Sequence, residues 1–269
     1  MVEIEKVIEI VKRTKTFFMD REIVKNIRVK GLADYATEVD VGVQKFLEEE
    51  LKKICPDAGF LGEESYAGEA VSGSMWIVDP VDGTTNLIHN YRQSMVSVAL
   101  ASNGEIVLGI IYNPYTEEIY WAEAGKGAYK NENQIHVSCV KELSHSLISV
   151  GTSPYYHENA AQNFAAMERV FLQCEDIRRS GSAAFDLAHV AEGSVEAYFE
   201  RNLKIWDYAA GLLIIREAGG RVTDYEGNEI KLTTTINNVV ADNGYLGGKL
   251  RELITPQHPV AFHSPCNLL

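Results

Sequence analysis

The sequence predicts a mixed α/β protein, with an antiparallel sheet in its front half and intermixed helices and strands in its back half. Three observations carry this. Apolar residues recur at helical spacing near the N-terminus, at Ile4, Val7, Ile8 and Val11. Between Trp76 and Ala124 the apolar runs become strand-like and flank Asn103-Gly104, a strong hairpin signal. From Leu147 onward, helix-type and strand-type runs alternate.

In chain order, the first helix contains Ile4 to Val11. A second fits Val43, Phe46, Leu47, Leu51 and Ile54, opened by Thr37-Glu38-Val39-Asp40 and stopped by Pro56. Phe60-Leu61 is a strand-like stub, and Trp76-Ile77-Val78 is a short strand. Ser94 to Ala101 and Ile106 to Tyr112 form the hairpin, which Ile119 to Ala124 extends into a meander. Leu147 to Val150 is the next strand. The helix after it places Phe164, Met167, Glu168 and Phe171 on related turns. Ser182 to Glu192 is a further helix, with Gly193 placed to end it. Val195 to Phe199 is a strand with Glu200 at its end. Trp206 to Ala218 is an Ala-, Leu- and Ile-rich helix closed by Gly219-Gly220. Arg221 to Tyr225 and Val239-Val240-Ala241 are the last strands. No repeat or linker divides the chain, so residues 1–254 are expected to form one domain and 255–269, with three prolines and no period, a tail.

Composition narrows the function. The 269 residues are 46% hydrophobic and 23% charged, an ordinary globular balance. No apolar run is long enough to span a membrane, and the acidic N-terminus does not resemble a secretory signal. A formal charge of −13 is opposite in sign to that of a typical nucleic-acid binder. Cys55, Cys139, Cys174 and Cys266 form no CxxC pair and suit free thiols in a reducing, cytoplasmic compartment. The P-loop, dinucleotide, zinc-protease and nucleophile-elbow motifs are absent. Asp79 and Asp82 are spaced by three, which argues against a DxD aspartyl-phosphate site.

What remains is a set of acids in unusual company. Asp79-Pro80-Val81-Asp82-Gly83-Thr84-Thr85-Asn86 directly follows the strand Trp76 to Val78. Its acids are hard oxygen donors suited to Mg²⁺. Gly83 allows close backbone approach, and the N–H groups of Gly83, Thr84 and Thr85 could face an anion. The same residues also make a good helix cap and turn. Gly62-Glu63-Glu64-Ser65, Thr37 to Asp40, and Trp206-Asp207 before Tyr208-Ala209-Ala210-Gly211 repeat the theme. Each alone reads more readily as a cap. Together, Glu63, Asp79, Asp82 and Asp207 supply enough carboxylates for two or three Mg²⁺ ions. His89, the histidine near a motif, reads as a structural hydrogen-bonder rather than a catalyst.

Gly-Glu-Glu-Ser, Trp-Ile-Val-Asp-Pro-Val-Asp-Gly-Thr-Thr-Asn, and Trp-Asp-Tyr-Ala-Ala-Gly followed by Glu-Ala-Gly-Gly together resemble the inositol monophosphatase family, in order, over about residues 4–254. The resemblance implies a layered α/β/α/β/α sandwich and a Mg²⁺-dependent, lithium-sensitive phosphatase acting on a small phosphomonoester, as a homodimer. It implies that Glu63, Asp79 and the Val81 carbonyl hold one Mg²⁺, that Asp79, Asp82 and Asp207 hold another, and that Glu63 supports a third. It assigns Thr84, bonded to Asp40, to the attacking water, and the Gly83 and Thr84 N–H groups to the phosphate. Thr85 falls within the same motif and joins the expected substrate contacts, as do the metal ligands Asp82 and Asp207. Glu200 would accept hydrogen bonds from inositol hydroxyls, with Ala183 in the turn Arg179 to Ala183 and Thr152 also near substrate. Lys30 to Asp34 matches a mobile family loop near the third metal.

Thr85-Asn86 resembles the inositol phosphatase pattern. Phosphatases of 3′-phosphoadenosine 5′-phosphate have Lys-Glu-Phe there, and histidinol-phosphate phosphatases have Arg-Ala-Phe. Leu87 and Tyr91-Arg92-Gln93 depart from the family's Phe and Phe-Pro, which bears on the expected dimer surface. Alternative readings are a 3′-phosphoadenosine 5′-phosphate phosphatase, a fructose-1,6-bisphosphatase, or a catalytically silent regulatory relative that binds RNA or a partner. The acidic charge and the intact carboxylate set argue against the last.

Overall fold

The computed structural model describes residues 2–31, 33–68, 70–232 and 236–255. Leu32, Cys266 and the expected tail beyond Thr255 lie outside the described residues. Among those described, the elements stack in five layers, α/β/α/β/α.

The first layer holds α1 (Ile4–Arg13), α2 (Lys15–Met19), α3 (Arg21–Val24) and α4 (Glu38–Ile54). A ribbon of β1 (Ile27–Gly31) and β2 (Asp34–Thr37) joins α3 to α4. In α1 the inward row is Ile4, Val7, Ile10 and Val11, the spacing expected of an amphipathic helix. A capping box starts α4: the Thr37 hydroxyl accepts the Val39 N–H, and Asp40 accepts the Thr37 N–H. Val39, Val43, Leu47 and Leu51 face inward.

The second layer is a seven-stranded sheet of β3 (Gly59–Gly62), β4 (Ser74–Asp82), β5 (Met95–Ser102), β6 (Glu105–Tyr112), β7 (Ile119–Glu123), β8 (Ala128–Lys130) and β9 (Asn133–Ile135), in that order. It is antiparallel except where β3 runs parallel to β4. Asn103 (φ 54°) and Gly104 (φ 85°) make the β5–β6 turn, both in the left-handed region that a type I′ hairpin requires. Alternate residues face opposite sides. Trp76, Val78, Val98 and Ile110 pack under α1 and α4, and Ile77, Ala99 and Ile111 face the third layer.

That third layer is α7 (Ala183–Ala191) and α8 (Ile205–Glu217). Helix α8 contacts strands of both large sheets, so it is apolar around its whole circumference. Beyond it lies a five-stranded sheet of β10 (Leu147–Val150), β11 (Asp176–Arg178), β12 (Ala197–Lys204), β13 (Arg221–Thr223) and β14 (Ile236–Asp242), in the order β11-β10-β12-β14-β13. Strand β10 is parallel to both neighbours, and the remaining pairs are antiparallel. Helices α6 (Ala160–Phe171) and α9 (Gly247–Ile254) cover the outer face, with Met167, Val170, Leu250 and Ile254 against Ile148, Phe199 and Val240.

Two expectations need correction. The strand near Glu200 starts at Ala197 and continues to Lys204, so Glu200 lies inside it. Pairing with β14 resumes past a bulge between Glu200 and Leu203, where Asn202 takes φ 59°. In α6 the buried row is Asn163, Ala166, Met167 and Val170, whereas Phe164 and Phe171 are exposed. The described cysteines 55, 139 and 174 are free thiols, as expected. Among the described residues, no helix is long and apolar enough to cross a membrane.

Candidate active site

A cavity of about 540 Å³ opens where the two large sheets and the first-layer ribbon meet. Strand β4 supplies its floor. In a regular strand, residues three apart point to opposite faces. The β4–β5 register shifts between Asp79, opposite Ser97, and Asp82, opposite Met95, so that β4 carries one residue more than its partner. Pro80, which has no N–H to give a ladder, lies in that shift. As a result Asp79, Val81 and Asp82 all line one cavity. Asp79 Oδ1 accepts the Val81 N–H at 2.9 Å, which fixes its carboxylate.

The chain then turns through Gly83, whose φ of 89° admits glycine with little strain, into α5 (Thr84–Ile88). A Cβ at Gly83 would stand 3.1 Å from the Gly181 carbonyl across the cavity. Thr84 Oγ1 lies 3.0 Å from Asp40 Oδ1 and 3.2 Å from the Val81 carbonyl. Asp40 Oδ2 accepts both the N–H and the hydroxyl of Thr37, each at 2.7 Å. Asp40 is thus buried behind the cavity wall and locked against Thr84. Asn86 Nδ2 donates to the carbonyls of Gln93 and Ser180, tying this turn to the back sheet.

Glu63 follows β3, and Lys30 of the ribbon reaches over it, with Nζ 3.4 Å from Glu63 Oε1 and bonded to Glu64. Lys30, Gly31 and Asp34 therefore belong to a paired ribbon above the acids. On the far side, Asp82 Oδ2 accepts the Ser182 hydroxyl at 2.7 Å and the Ala184 N–H at the start of α7. Asp207 Oδ2 accepts the Lys204 N–H at 2.7 Å in the first turn of α8. Glu200 Oε1 accepts the Ser153 N–H at 2.7 Å, and its Oε2 accepts the Tyr198 hydroxyl. Arg201, next to Glu200 in the chain, donates to the Ile254 carbonyl and lies over the Tyr225 ring.

Burial without enough opposite charge dominates the electrostatics. It raises Asp79 and Asp207 well above the usual carboxylate range, and Glu63 and Asp82 add repulsion to both. Asp40 and Asp82 are each pushed up to about 6 by burial, against the pull of their hydrogen bonds. Glu63 rises to about 7, again chiefly from burial, although Lys30 pulls it down. Among the described residues, no group of three or more Asp, Glu, His or Cys side chains is drawn together closely enough to hold a metal ion as they stand. The acids instead make an open cluster that presses on itself. The donor set, carboxylate oxygens with the Val81 carbonyl, fits hard divalent cations, which would relieve that repulsion.

Of the residues singled out from sequence, Glu63, Asp79, Val81, Asp82, Gly83, Thr84, Thr85, Ala183, Glu200 and Asp207 line this one cavity, and Asp40 backs it. Thr152 does not line it. Its hydroxyl accepts from Arg179, which does, and the neighbouring Gly151 and Ser153 stand in the wall. His89 lines the cavity from an exposed position. Sequence reasoning missed Ser182 as the holder of Asp82, Asp186 in the wall, Tyr198 on Glu200, and Gly151. The polar run Arg179-Ser180-Gly181-Ser182 was a signal for the first. The others follow only from the sheet register.

The sequence profile of the inositol monophosphatase family matches residues 3–258. The chain is 42% identical, over 93% of its length and 93% of the relative's, to an inositol-1-monophosphatase of Rhizobium meliloti. It is 38% identical to the Nus factor SuhB of Xylella fastidiosa, over 80% of this chain and 85% of that one. Among solved structures, the extragenic suppressor protein suhB of Bartonella henselae superposes with a TM-score of 0.86 at 36% identity, covering 95% of this chain and 99% of that one. An IMPase from Thermotoga maritima gives 0.83 at 30% identity, covering 93% and 96%.

Proposed function

The chain belongs to the inositol monophosphatase family, and from that premise we propose that it is a Mg²⁺-dependent phosphomonoesterase. Its substrates are myo-inositol 1-phosphate and related small esters, and residues 1–254 act as a single phosphatase domain. The observation that carries this reading is the convergence of Glu63, Asp79, Asp82 and Asp207 on one cavity beside the Thr84–Asp40 pair.

Glu63, Asp79, Asp82, Asp207 and the Val81 carbonyl are the groups that hold two to three Mg²⁺ ions. When bound, the ions supply the positive charge that an in-line phosphoryl displacement needs. Thr84, whose hydroxyl is fixed by Asp40, orients the attacking water. The N–H groups of Gly83 and Thr84 hold the phosphate oxygens. Water adds to phosphorus, the ester P–O bond breaks, and the proton that the water gives up ends on the leaving oxygen, so that inositol and phosphate are released. Glu200, at the far wall, accepts hydrogen bonds from the polyol hydroxyls.

The test is phosphate release across a panel containing inositol 1-phosphate, fructose 1,6-bisphosphate, 3′-phosphoadenosine 5′-phosphate and p-nitrophenyl phosphate. Each is assayed with Mg²⁺ and with excess EDTA. The expected result is fastest turnover of inositol 1-phosphate, lost in EDTA. Full turnover in EDTA overturns the metal reading. A preference for either bisphosphate overturns the substrate, and no turnover at all overturns the activity.

A further inference from the structure

Asp186 is a buried acid, 3% exposed, that neither the motifs nor the proposed reaction uses. It stands in the cavity wall on α7. Its Oδ2 is 2.7 Å from Ser180 Oγ, and Ser149 is a second hydrogen-bond partner. Ser180 Oγ also lies 3.0 Å from the Ser182 carbonyl and accepts the Ser182 N–H at 3.1 Å. Ser182 gives its hydroxyl to Asp82 Oδ2 at 2.7 Å, and the Ala184 N–H meets the same oxygen. A continuous chain of polar contacts therefore runs from Asp186 through Ser180 and Ser182 to Asp82.

We propose that Asp186 is a positioning residue for Asp82. It closes the Ser180–Ser182 turn, and that turn presents the Ser182 hydroxyl and the Ala184 N–H to the Asp82 carboxylate. This rests on the role of Asp82 as a metal ligand proposed above. A proton count supports the arrangement. Ser180 Oγ has one proton and two lone pairs, and the Ser182 N–H occupies one of them. With Asp186 ionised, Asp186 and the Ser182 carbonyl compete for the single Ser180 proton, and one contact goes unmade. With Asp186 protonated, its own O–H fills the second lone pair and frees the Ser180 proton for the Ser182 carbonyl. All three contacts are then made together. Burial, aided by the nearby Glu200 and Asp82, pushes the acid up to about 8, which favours this form at neutral pH.

Asparagine can copy the protonated acid, since its NH₂ donates to Ser180 and its carbonyl accepts from Ser149. Alanine cannot. The experiment titrates Mn²⁺ into the full chain and its variants D186N, D186A and S180A, following binding by electron paramagnetic resonance. Each variant is also melted, and kcat and KM are measured. D186A is expected to weaken Mn²⁺ binding by roughly 10-fold or more, the usual cost of losing a partner that orients a ligand. Its kcat should fall with KM nearly unchanged, and D186N should stay close to wild type. The losses in D186A/S180A should not add, because both act through one chain of contacts. If D186A fails to fold, S180A and the D186N/S180A pair carry the comparison. Mn²⁺ affinity unchanged in D186A and S180A, or D186N as impaired as D186A, overturns the proposal. A wild-type chain that binds no Mn²⁺ overturns the metal reading beneath it.

Discussion

Gly151→Ala tests how Glu200 is held. A Cβ built at Gly151 would stand 1.9 Å from Glu200 Cδ and Oε2, and 2.5 Å from its Cγ. Ordinary contact begins near 3.4 Å, so the carboxylate must retreat by about 1.5 Å. Glutamate is flexible, but this one is 9% exposed and fixed at both oxygens. A shift of that size breaks the bond from Ser153 N–H at 2.7 Å and the bond from Tyr198. A hydrogen bond to a charged group contributes about 1.5–3 kcal/mol, so loss of one such contact to a polyol hydroxyl lowers kcat/KM by about 10- to 100-fold. The assay compares inositol 1-phosphate with p-nitrophenyl phosphate, whose leaving group offers no polyol hydroxyls. Gly151→Ala should lose most of its efficiency on the first and little on the second, and Glu200→Gln should match it. Equal losses on both substrates would refute the reasoning, because Gly151 would then support the fold or the metals rather than recognition.

Asp82→Asn keeps the side-chain volume but removes a ligand charge, and turnover should fall on the order of 100-fold while the metal-free melting temperature at neutral pH does not fall. Thr84→Ala removes the hydroxyl shared with Asp40, so kcat should drop on the order of 100-fold with Mn²⁺ affinity unchanged; near wild-type kcat would remove Thr84 from positioning the water. The metal-free protein should lose stability as pH rises from about 4 to about 7. Asp40 and Asp82, raised to about 6, and Glu63, raised to about 7, bind protons more tightly folded than unfolded, so their contribution is complete below the unfolded values and gone above the folded ones. The melting temperature should fall by several degrees across that window, given about 2–4 °C per kcal/mol for a chain of this size, and Mg²⁺ should flatten the curve. A metal-free melting temperature that rises from pH 4 to 7 would contradict the buried, self-repelling cluster.

Most of the cavity was legible because its residues come in short local strings, each tied to the end of an element. Thr37 to Asp40 is a helix start, and the Thr84 hydroxyl donates to the same carboxylate that caps α4. Trp206-Asp207 opens the helix that both sheets bury, so Asp207 had to lie near whatever that helix faces. The hairpin was legible from Asn103-Gly104 because left-handed backbone at two successive residues is a strong local constraint.

What stayed hidden depends on register, which local spacing does not encode. Strict alternation would send Asp79 and Asp82 to opposite faces of β4, and only the shift between them brings both into the cavity. The same holds for Glu200. Read as a strand end, it would point freely at a substrate. Inside β12, ahead of a bulge, it sits beside β10, and Gly151 just past that strand must lack a Cβ to let it in. Phe164 and Phe171 show the converse: a helical period was visible, but which row faces inward was set by α9 and the sheet beneath it. In this fold the reacting groups come from strings that the sequence displays, while their orientation comes from bulges and missing side chains two elements away. Gly151→Ala and Asp186→Ala, at positions that no local string marks, should therefore damage substrate recognition and metal binding, respectively, as specifically as substitutions at Glu200 and Asp82 themselves.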